Sequence, residues 1–419
     1  MKKSLLAVAA MGAFASAAQA QSSVTVYGIL DAGYSNASTR VGNSSGGTKK
    51  VNTSGFGTDA ETNSRIGFKG NEDLGGGTSA FFTAEANISV MNGGSPVYGP
   101  ATAYTSANTA SGANQGNVFN GNRQTFVGLA KKGIGKAAIG TQYTVLHDSV
   151  TSTDVGQSNN VIGSVIRPVG AAAASGASTG AQGDHLVRTT NALKFNSDKF
   201  AGFGLNAMYI QNNSDTTQTA AQSTTNPTTA NTSVYGTNNY NGYGLSADYA
   251  WKKLYATVAY NSIKQEQTFV GVSVPSSTTA LPGTEALGTQ TNVKINDTYA
   301  GATYDFGILK GYLAWSNRKA TAGLNSNQYA SRSAQQIGVR SFITPTIEGW
   351  ASVGNGKYKT FGEGSPTANF NAWQLGSNYL LSKRTNLYAI YGQTLTSSTS
   401  SQAQGAAGSQ FALGVRHTF

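Results

Sequence analysis

Residues 411–419 read Phe-Ala-Leu-Gly-Val-Arg-His-Thr-Phe, and one row of alternate positions in this stretch is apolar or aromatic except for a histidine. That row consists of Phe411, Leu413, Val415, His417 and Phe419. Successive side chains of a β-strand point to opposite faces, so this alternation indicates a strand with one apolar face. The intervening row holds only small or polar residues, Arg416 among them. The stretch therefore predicts a strand between hydrocarbon and water, which is typical of a transmembrane β-barrel.

The same two-residue period recurs along the chain, beginning at its first strand. Val24, Val26 and Leu30 fall on one side of that strand, whereas Thr25 and Asp31 fall on the other. A single segment of this kind is a weak signal, but a long series of them is specific.

The connections between these segments alternate between short and long, as expected of a barrel with short periplasmic turns and long extracellular loops. Short turns are predicted at 72–75, 132–135, 198–202, 252–253, 306–308, 345–346 and 383–385. Long polar loops are predicted near 35–61, 92–117, 145–187, 213–236, 267–291, 321–333, 359–369 and 397–408. The fold class is therefore all-β, an antiparallel transmembrane barrel of about sixteen strands.

The first twenty residues predict a secretory signal peptide. Lys2 and Lys3 precede a short apolar stretch, and residues 18–20 form a small-residue cleavage site. We expect residues 21–419 to form a single barrel domain. Without the leader, 27 basic residues face 18 acidic ones, a net charge of +9. These bases are scattered singly, which disfavours nucleic-acid binding.

The composition narrows the chemistry further. The chain has no cysteine, and charged residues make up only 11% of it, whereas soluble domains usually contain about 25%. Aromatic residues reach 10%, more than a disordered chain would carry. Several of them are predicted near strand ends, at the membrane interfaces. These are Trp251, Tyr255, Tyr304, Phe306, Phe342, Trp350, Tyr379, Tyr388 and Tyr391.

Two similar segments, 202–207 and 242–247, have the glycine spacing of a dinucleotide-binding loop. That interpretation requires a following helix. Strand-like residues follow instead, so both segments are predicted to belong to the barrel wall, and no cofactor is expected.

Strand parity predicts which basic residues face the lumen, because an arginine facing lipid costs about 2–4 kcal/mol at the bilayer midplane. Ile66 and Phe68 on the lipid side place Arg65 and Lys69 inward. The same reasoning assigns to the lumen Arg188, Lys194, Arg318, Arg340 and Arg416. Arg123 shares parity with the apolar Val127 and Leu129, so either a bulge shifts the register or Phe126 marks the outer face.

Seven stretches resemble the general trimeric porins of Gram-negative bacteria, in the branch common among beta-proteobacteria. They are residues 24–31, 64–70, 71–77, 123–129, 140–143, 191–195 and 414–419.

This resemblance implies a homotrimer whose third long loop, residues 145–187, folds into the pore and narrows it. It also implies that Arg65, Arg123 and Arg188 form the basic side of the constriction. The opposing acids are expected on the third loop, at Asp148 and Asp154, with Asp184 as a weaker candidate.

The expected function is that of an outer-membrane general diffusion porin, a water-filled channel for small hydrophilic solutes and ions with a preference for anions. The alternative is a substrate-selective channel for anions or small organic acids, with an aromatic row at Tyr27, Tyr143 and Tyr209. Loop-mediated adhesion remains open as a secondary role. The expected partners are further copies of the chain, outer-membrane lipid and lipopolysaccharide.

An enzyme is not expected. The chain contains only three histidines, His147, His185 and His417. The contiguous His147-Asp148-Ser149 is a poor candidate for a catalytic triad, because neighbouring residues point in different directions. No metal site and no catalytic residue are predicted.

Overall fold

The computed structural model describes eleven segments of the chain, and the statements below concern these segments. They are residues 23–42, 47–88, 90–91, 119–168, 181–182, 185–216, 235–270, 292–323, 326–361, 367–398 and 405–419. The predicted leader lies outside them, as does Asp184.

The described chain forms a closed antiparallel barrel of sixteen strands, which confirms the predicted fold. The strands are β1 (Ser23–Gly42), β2 in two segments (Thr48–Thr58 and Arg65–Gly75), β3 (Thr78–Ile88), β4 (Phe119–Lys131), β5 (Gly135–Tyr143), β6 (Arg188–Ser197), β7 (Phe203–Thr216), β8 (Tyr235–Trp251), β9 (Leu254–Val270), β10 (Asn292–Asp305), β11 (Lys310–Ala322), β12 (Tyr329–Thr344), β13 (Ile347–Phe361), β14 (Thr367–Leu380), β15 (Thr385–Ser398) and β16 (Ala406–Thr418). Each strand pairs with its neighbours in sequence, and β16 closes the barrel on β1. Closure leaves none of the described strands with an unpaired edge, and an unpaired edge would not be tolerated within a bilayer.

The alternation in the sequence sorts side chains as predicted in the strands that carry it most clearly. Val24, Val26 and Leu413 are exposed on the outer surface, whereas Asp31 is fully buried on the inner side. Segments 202–207 and 242–247 lie on neighbouring strands and pair with each other, Asn206 opposite Ser246. The glycine-rich repeats are thus barrel wall.

Four of the predicted aromatic belt residues lie on the inner face instead, namely Tyr255, Phe342, Trp350 and Tyr388. Trp350 and Tyr388 are buried there, in a cluster with Ile390 and Ala412. Trp251, Tyr304, Phe306 and Tyr379 are exposed on the outside. Aromatic side chains on the inner face find apolar partners because the loop between β5 and β6 lies in the lumen, where its Val155 and Val161 join the same cluster.

The predicted loop at 35–61 is wrong in extent. β1 continues to Gly42, and its outer part pairs with Thr48–Thr58, so that Asn36 lies opposite Ser54. Sequence alternation marks only the part of a strand that lies between lipid and water, so strands that project beyond the bilayer lose the signal. The turn predicted at 72–75 lies later in the chain. The strand continues to Gly75, and Gly75, Gly76 and Gly77 supply the positive φ angles of the turn.

Residues 59–64 interrupt β2 and fold inward; we call this segment the inner bulge. Its backbone is held by Asp31, whose Oδ2 accepts hydrogen bonds from Glu61 N at 2.8 Å and Thr62 N at 2.6 Å. The Tyr388 hydroxyl donates to the other carboxylate oxygen at 2.7 Å. Buried polar groups need such partners. Asp31 therefore joins the bulge to β1 and to Tyr388 of β15.

The predicted third loop follows β5 and begins with a helix, α1 (Val145–Thr153). Thr144 caps it, because its side chain accepts a hydrogen bond from His147 N at 3.1 Å. The described part of the loop continues to residue 168 and resumes in a short hairpin, Ala181–Gln182 with His185–Leu186. No helix among the described residues has the length and hydropathy needed to cross a membrane.

Candidate functional site

The third loop lies inside the barrel and packs against one side of its inner wall. Its apolar side chains Leu146, Val150, Val165 and Ile166 are buried against wall residues that include several alanines. The wall contributes Ala259, Tyr299, Ala314, Ala334, Phe370 and Ala372 to this cluster. Small wall residues leave room for the loop, and burial of the apolar face stabilises it by about 25 cal/mol per Å² removed from water.

Wall glycines allow the loop to lie close to the sheet. A Cβ atom on Gly392 of β15 would lie 1.7 Å from the Ile162 carbonyl oxygen, and one on Gly354 of β13 would lie 2.3 Å from the Val165 Cγ2 atom. Glycines on β8, β10 and β12 make similar contacts with the loop, namely Gly244, Gly301 and Gly338. The loop therefore runs along a track of glycines on five strands.

Buried glutamines on the wall anchor the backbone of the same loop. Gln374 Nε2 donates to the carbonyl oxygens of Val161 at 3.0 Å and Ile162 at 3.2 Å. Gln410 accepts from Ile162 N at 3.1 Å, and Gln336 accepts from Val165 N at 3.0 Å. The loop is thus fixed by hydrogen bonds as well as by apolar packing.

The opposite side of the lumen holds an arginine-lined cavity of about 280 Å³, which we call the arginine cavity. Its lining includes Arg65 of β2, Arg123 of β4, Arg188 of β6 and Arg167 of the third loop. The three arginines predicted for the constriction therefore lie together, and Arg167 joins them. Among the residues that the structure describes, neither aspartate nor glutamate lines this cavity.

Glu85 of β3 lies beneath two of these arginines. Arg123 Nε donates to Glu85 Oε1 at 2.5 Å, and Arg65 Nε lies 3.8 Å from Glu85 Oε2. Tyr27 also donates to Glu85, at 3.1 Å. Glu85 is not among the residues predicted from the sequence, although Phe82 on the lipid side of the same strand assigns it to the inner face.

Tyr143 of β5 contacts two of the guanidinium groups. Arg123 Nη2 donates to its hydroxyl at 2.6 Å, and the Arg188 guanidinium lies 5.7 Å from the centre of its ring. The His147 ring stacks on the same tyrosine, 4.7 Å between centroids. Among the described residues, Arg188 forms no salt bridge, so its charge faces the cavity without a carboxylate partner.

Arg123 reaches the inner side through a bulge. Ala84 of β3 pairs with Thr125, but Ala86 pairs with Asn122, so β4 holds one extra residue between these pairs. Val127 and Leu129 remain exposed on the outer surface. Of the two alternatives left open by the sequence, the structure contains the bulge.

The two acids predicted on the third loop do not face the arginine cavity. Asp148 pairs with Lys194, whose Nζ also donates to the Tyr143 carbonyl oxygen at 2.9 Å. Asp154 ends α1 and is buried, and its Oδ2 accepts from Ser158 N at 2.7 Å. Burial lowers the pKa of Arg167, and the Asp154 carboxylate acts in the opposite direction. Counting Glu85 and Asp154 against four arginines leaves +2 (4 − 2) at the cavity.

The other predicted lumen bases lie at separate positions on the inner wall, most of them beside an acid. Arg318 lies 3.6 Å from Asp297, and Arg416 lies 3.6 Å from Glu61. Lys69 stands over the Tyr27 ring at 5.4 Å.

Arg340 is buried beneath the third loop. It forms a bidentate pair with Glu348 at 2.6 Å and donates to the Val155 carbonyl oxygen at 2.9 Å. Arg332 makes a similar contact with the loop, donating to the Val165 carbonyl oxygen at 2.5 Å. Arg332 is not among the residues predicted from the sequence. Both arginines therefore hold the loop rather than line the arginine cavity.

The aromatic row considered for a substrate-selective channel is divided between the two faces. Tyr27 and Tyr143 contact the inner bases, whereas Tyr209 is exposed on the outer surface. The described residues contain no cluster of three or more potential metal ligands. His417 is exposed on the outside and hydrogen-bonds to Thr385, which excludes it from a lumen site.

Known proteins of similar sequence and structure are porins. The family profile described as Gram-negative porin matches residues 7–399. An outer membrane porin protein of Bordetella pertussis is 26% identical over the full length of both chains. Outer membrane porin protein 32 of Delftia acidovorans is 31% identical over 220 residues, 52% of each chain. Among solved structures, an anion-selective porin from Comamonas acidovorans superposes with a TM-score of 0.61 at 20% identity, covering 95% of this chain and all of the other.

Proposed function

Because the chain belongs to the Gram-negative porin family and is an outer-membrane channel without enzymatic activity, we propose that it is a general diffusion porin with a preference for anions. In this proposal small hydrophilic solutes cross a water-filled passage between the third loop and the wall formed by β1 to β6. Residues 21–419 form the barrel domain, and residues 145–187 form the constriction loop.

The arginine cavity carries this proposal. Four guanidinium groups converge there, and the described carboxylates that act on them, Glu85 and Asp154, leave a net charge of +2. Fixed charge at a narrow passage raises the local concentration of the opposite ion and lowers that of the like ion. The solved porin from Comamonas acidovorans is described as anion-selective, which supports the same direction for this chain.

Reversal potentials in planar bilayers test the proposal. The purified protein is inserted into a bilayer that separates two KCl concentrations, and the potential at zero current gives the permeability ratio of chloride to potassium. We expect chloride to be favoured. A preference for potassium would contradict the proposed role of the arginine cavity.

Substrate-selective transport is the second candidate, favoured by the contacts of Tyr143 with Arg123 and Arg188. An aromatic ring beside two guanidinium groups would suit a small organic acid, whose carboxylate and carbon skeleton need different surfaces. Titration of the ion current with succinate or phosphate distinguishes the two candidates. Saturable block indicates a binding site, whereas a current unaffected by either solute supports general diffusion.

We also propose a homotrimer. One of the solved relatives, the OmpT protein of Vibrio cholerae, is described in a trimer form, although its 14% identity relates the fold alone. Mass measurement of the detergent-solubilised protein, corrected for bound detergent, tests this assembly, and a monomer would contradict it.

A further inference from the structure

The inner bulge forms part of the boundary of the arginine cavity. Thr62 and Asn63 of the bulge line the cavity, and the third loop contributes Gln157 and Ser158 to the same lining. None of these four side chains carries a charge, in contrast to the arginines of the same cavity. The passage is therefore bounded at this point by two polar segments that lie far apart in the sequence.

Both segments contain strained backbone next to the cavity. The φ angles of Gln157 and Ser158 are 51° and 64°, and that of Asp59 in the bulge is 73°. Residues other than glycine rarely adopt such angles, which persist only where surrounding contacts enforce them. Ser158 N donates to Asp154 Oδ2 at 2.7 Å, and Ser64 N donates to Asp59 Oδ1 at 2.7 Å. Strain of this kind concentrates at functional sites, and here it lies on both sides of one contact.

Asn160 joins the two strained turns through three hydrogen bonds, which we call the latch. Its backbone N donates to the Ala60 carbonyl oxygen at 3.0 Å. Its side-chain Nδ2 donates to the Asp59 carbonyl oxygen and to Asn63 Oδ1, each at 2.7 Å. Asparagine suits this position because one amide nitrogen supplies two donors. Asn160 is buried, so these bonds lie where water competes poorly for the same groups.

Apolar contacts support the latch. Ala60 of the bulge packs in one buried cluster with Val155 and Val161 of the third loop. These two valines flank Asn160 in the sequence. Apolar packing therefore fixes the ends of this stretch of the loop, and the latch fixes its middle.

The latch acts on the part of the third loop that lines the cavity. The wall glutamines hold the loop backbone at residues 161–165, beyond Gln157 and Ser158. The inner bulge is itself held by the wall, since Asp31 accepts hydrogen bonds from two of its backbone amides. The latch therefore transmits the position of the wall to the cavity-lining turn of the loop.

We propose that Asn160 is a positioning residue of the pore, and that the latch sets the width of the passage beside the arginine cavity. The inner bulge is then a second constriction element, which holds Gln157 and Ser158 in place relative to the arginines. Without the latch the strained turn of the third loop relaxes, and the channel visits further conductance levels. The proposal concerns the bore and not the sign of the preferred ion, so it does not depend on the proposed anion preference.

Single-channel recordings of Asn160→Ala test the proposal. A buried hydrogen bond contributes about fivefold to an equilibrium constant, so loss of the two side-chain bonds should raise the ratio of displaced to latched loop about thirtyfold. The time spent at altered conductance levels, relative to the main level, should rise by the same factor. The matched control is Asn371→Ala, which removes the same amide from the outer surface and should behave as the wild type.

A reversible cross-link separates positioning from folding. The chain contains no cysteine, so Asn63→Cys combined with Asn160→Cys introduces a single pair of thiols at the latch. A short bifunctional methanethiosulfonate bridges the pair, and dithiothreitol cleaves the bridge. The unbridged channel should show the altered levels of Asn160→Ala, whereas the bridged channel should show one steady level. Because the same folded molecule is compared before and after cleavage, reduced stability of the variant does not explain the difference.

Several results would overturn the proposal. Asn160→Ala could keep the wild-type distribution of conductance levels, or Asn371→Ala could change it as much. The thiol pair could fail to bridge, which would show that the two side chains do not meet. The bridge could leave the altered levels in place, or Asn160→Cys alone could regain a steady level with the same reagent. Chloride selectivity of the wild type tests the anion preference separately, so failures of the two proposals are distinguishable.

Discussion

Arg188→Gln is the sharpest test of how the arginine cavity acts on ions. The Arg188 guanidinium lies over the Tyr143 ring and, among the described residues, forms no salt bridge. Its removal therefore leaves no buried carboxylate without a partner, unlike removal of Arg123 from Glu85. The substitution changes the charge that an ion meets while preserving the barrel.

The expected magnitude follows from Coulomb's law. An anion that passes about 6 Å from this charge gains about 0.7 kcal/mol in a water-like dielectric, and a cation loses the same amount. Screening reduces the interaction to about half at 0.1 M salt and to about four-fifths at 0.01 M. The chloride-to-potassium permeability ratio should therefore fall about fourfold at 0.1 M and about sevenfold at 0.01 M.

Reversal potentials at two mean salt concentrations measure this change. Lys357→Gln on the outer surface removes one positive charge from outside the lumen, so it should leave the ratio unaltered. The reasoning is refuted if Arg188→Gln leaves the ratio unchanged, if its effect does not grow as the salt concentration falls, or if Lys357→Gln has an equal effect.

Three further substitutions test the seating of the third loop and the orientation of the strands. Gly392→Leu should displace the third loop, because a Cβ atom there would lie 1.7 Å from the Ile162 carbonyl oxygen. Single-channel recordings should show an altered and noisier conductance. A wild-type trace would contradict the described position of the loop. Gln374→Leu removes hydrogen bonds to the loop backbone and to Asn159. It should lower the free energy of unfolding by about 1–3 kcal/mol in urea titrations of protein in lipid vesicles. An unchanged unfolding midpoint would argue that Gln374 does not anchor the loop. Leu375→Arg on the lipid side should destabilise the barrel by about 2–4 kcal/mol in the same assay, with Leu375→Ile as a nearly neutral control; equal stability of the two would mean that this face does not meet hydrocarbon.

The strand series and its faces were predictable because the two-residue period reports directly on the boundary between lipid and water. Leu413 and Val415, for example, follow from alternation alone. The same signal fails where both faces are wet, which is why the pairing of Asn36 with Ser54 was mistaken for a loop. Apolar and polar residues alternate only where one face of a strand meets lipid and the other meets water. The pattern therefore ends at the edge of the bilayer.

Contacts across the lumen were not predictable in the same way. Parity gives the side of the barrel on which Arg340 lies, but not its ion pair with Glu348 or its bond to Val155. Asp154 was expected to face the basic cluster, yet it is buried at the end of α1. Glu348 lies eight residues from Arg340 on the neighbouring strand and Val155 lies 185 residues away, so strand pairing and the path of the third loop determine which groups meet.

The position of Arg123 illustrates the most local of these failures. A one-residue bulge in β4 reverses its side relative to Val127. A bulge leaves no fixed signature in the sequence, so the alternation on either side of it reads as a conflict. That conflict was itself informative, because it marked the place where the chain departs from a regular strand.

The glycine track has a consequence for how such a channel can diverge. Five strands on one side of the interior are committed to accommodating the third loop, and a side chain larger than hydrogen at Gly354 or Gly392 would collide with it. Substitutions that change permeability without displacing the third loop are therefore confined to the opposite half of the inner wall, where Arg65 and Arg188 lie. Descendants of this protein should accordingly acquire new solute preferences through substitutions on that half of the inner wall, while the residues that contact the loop change little.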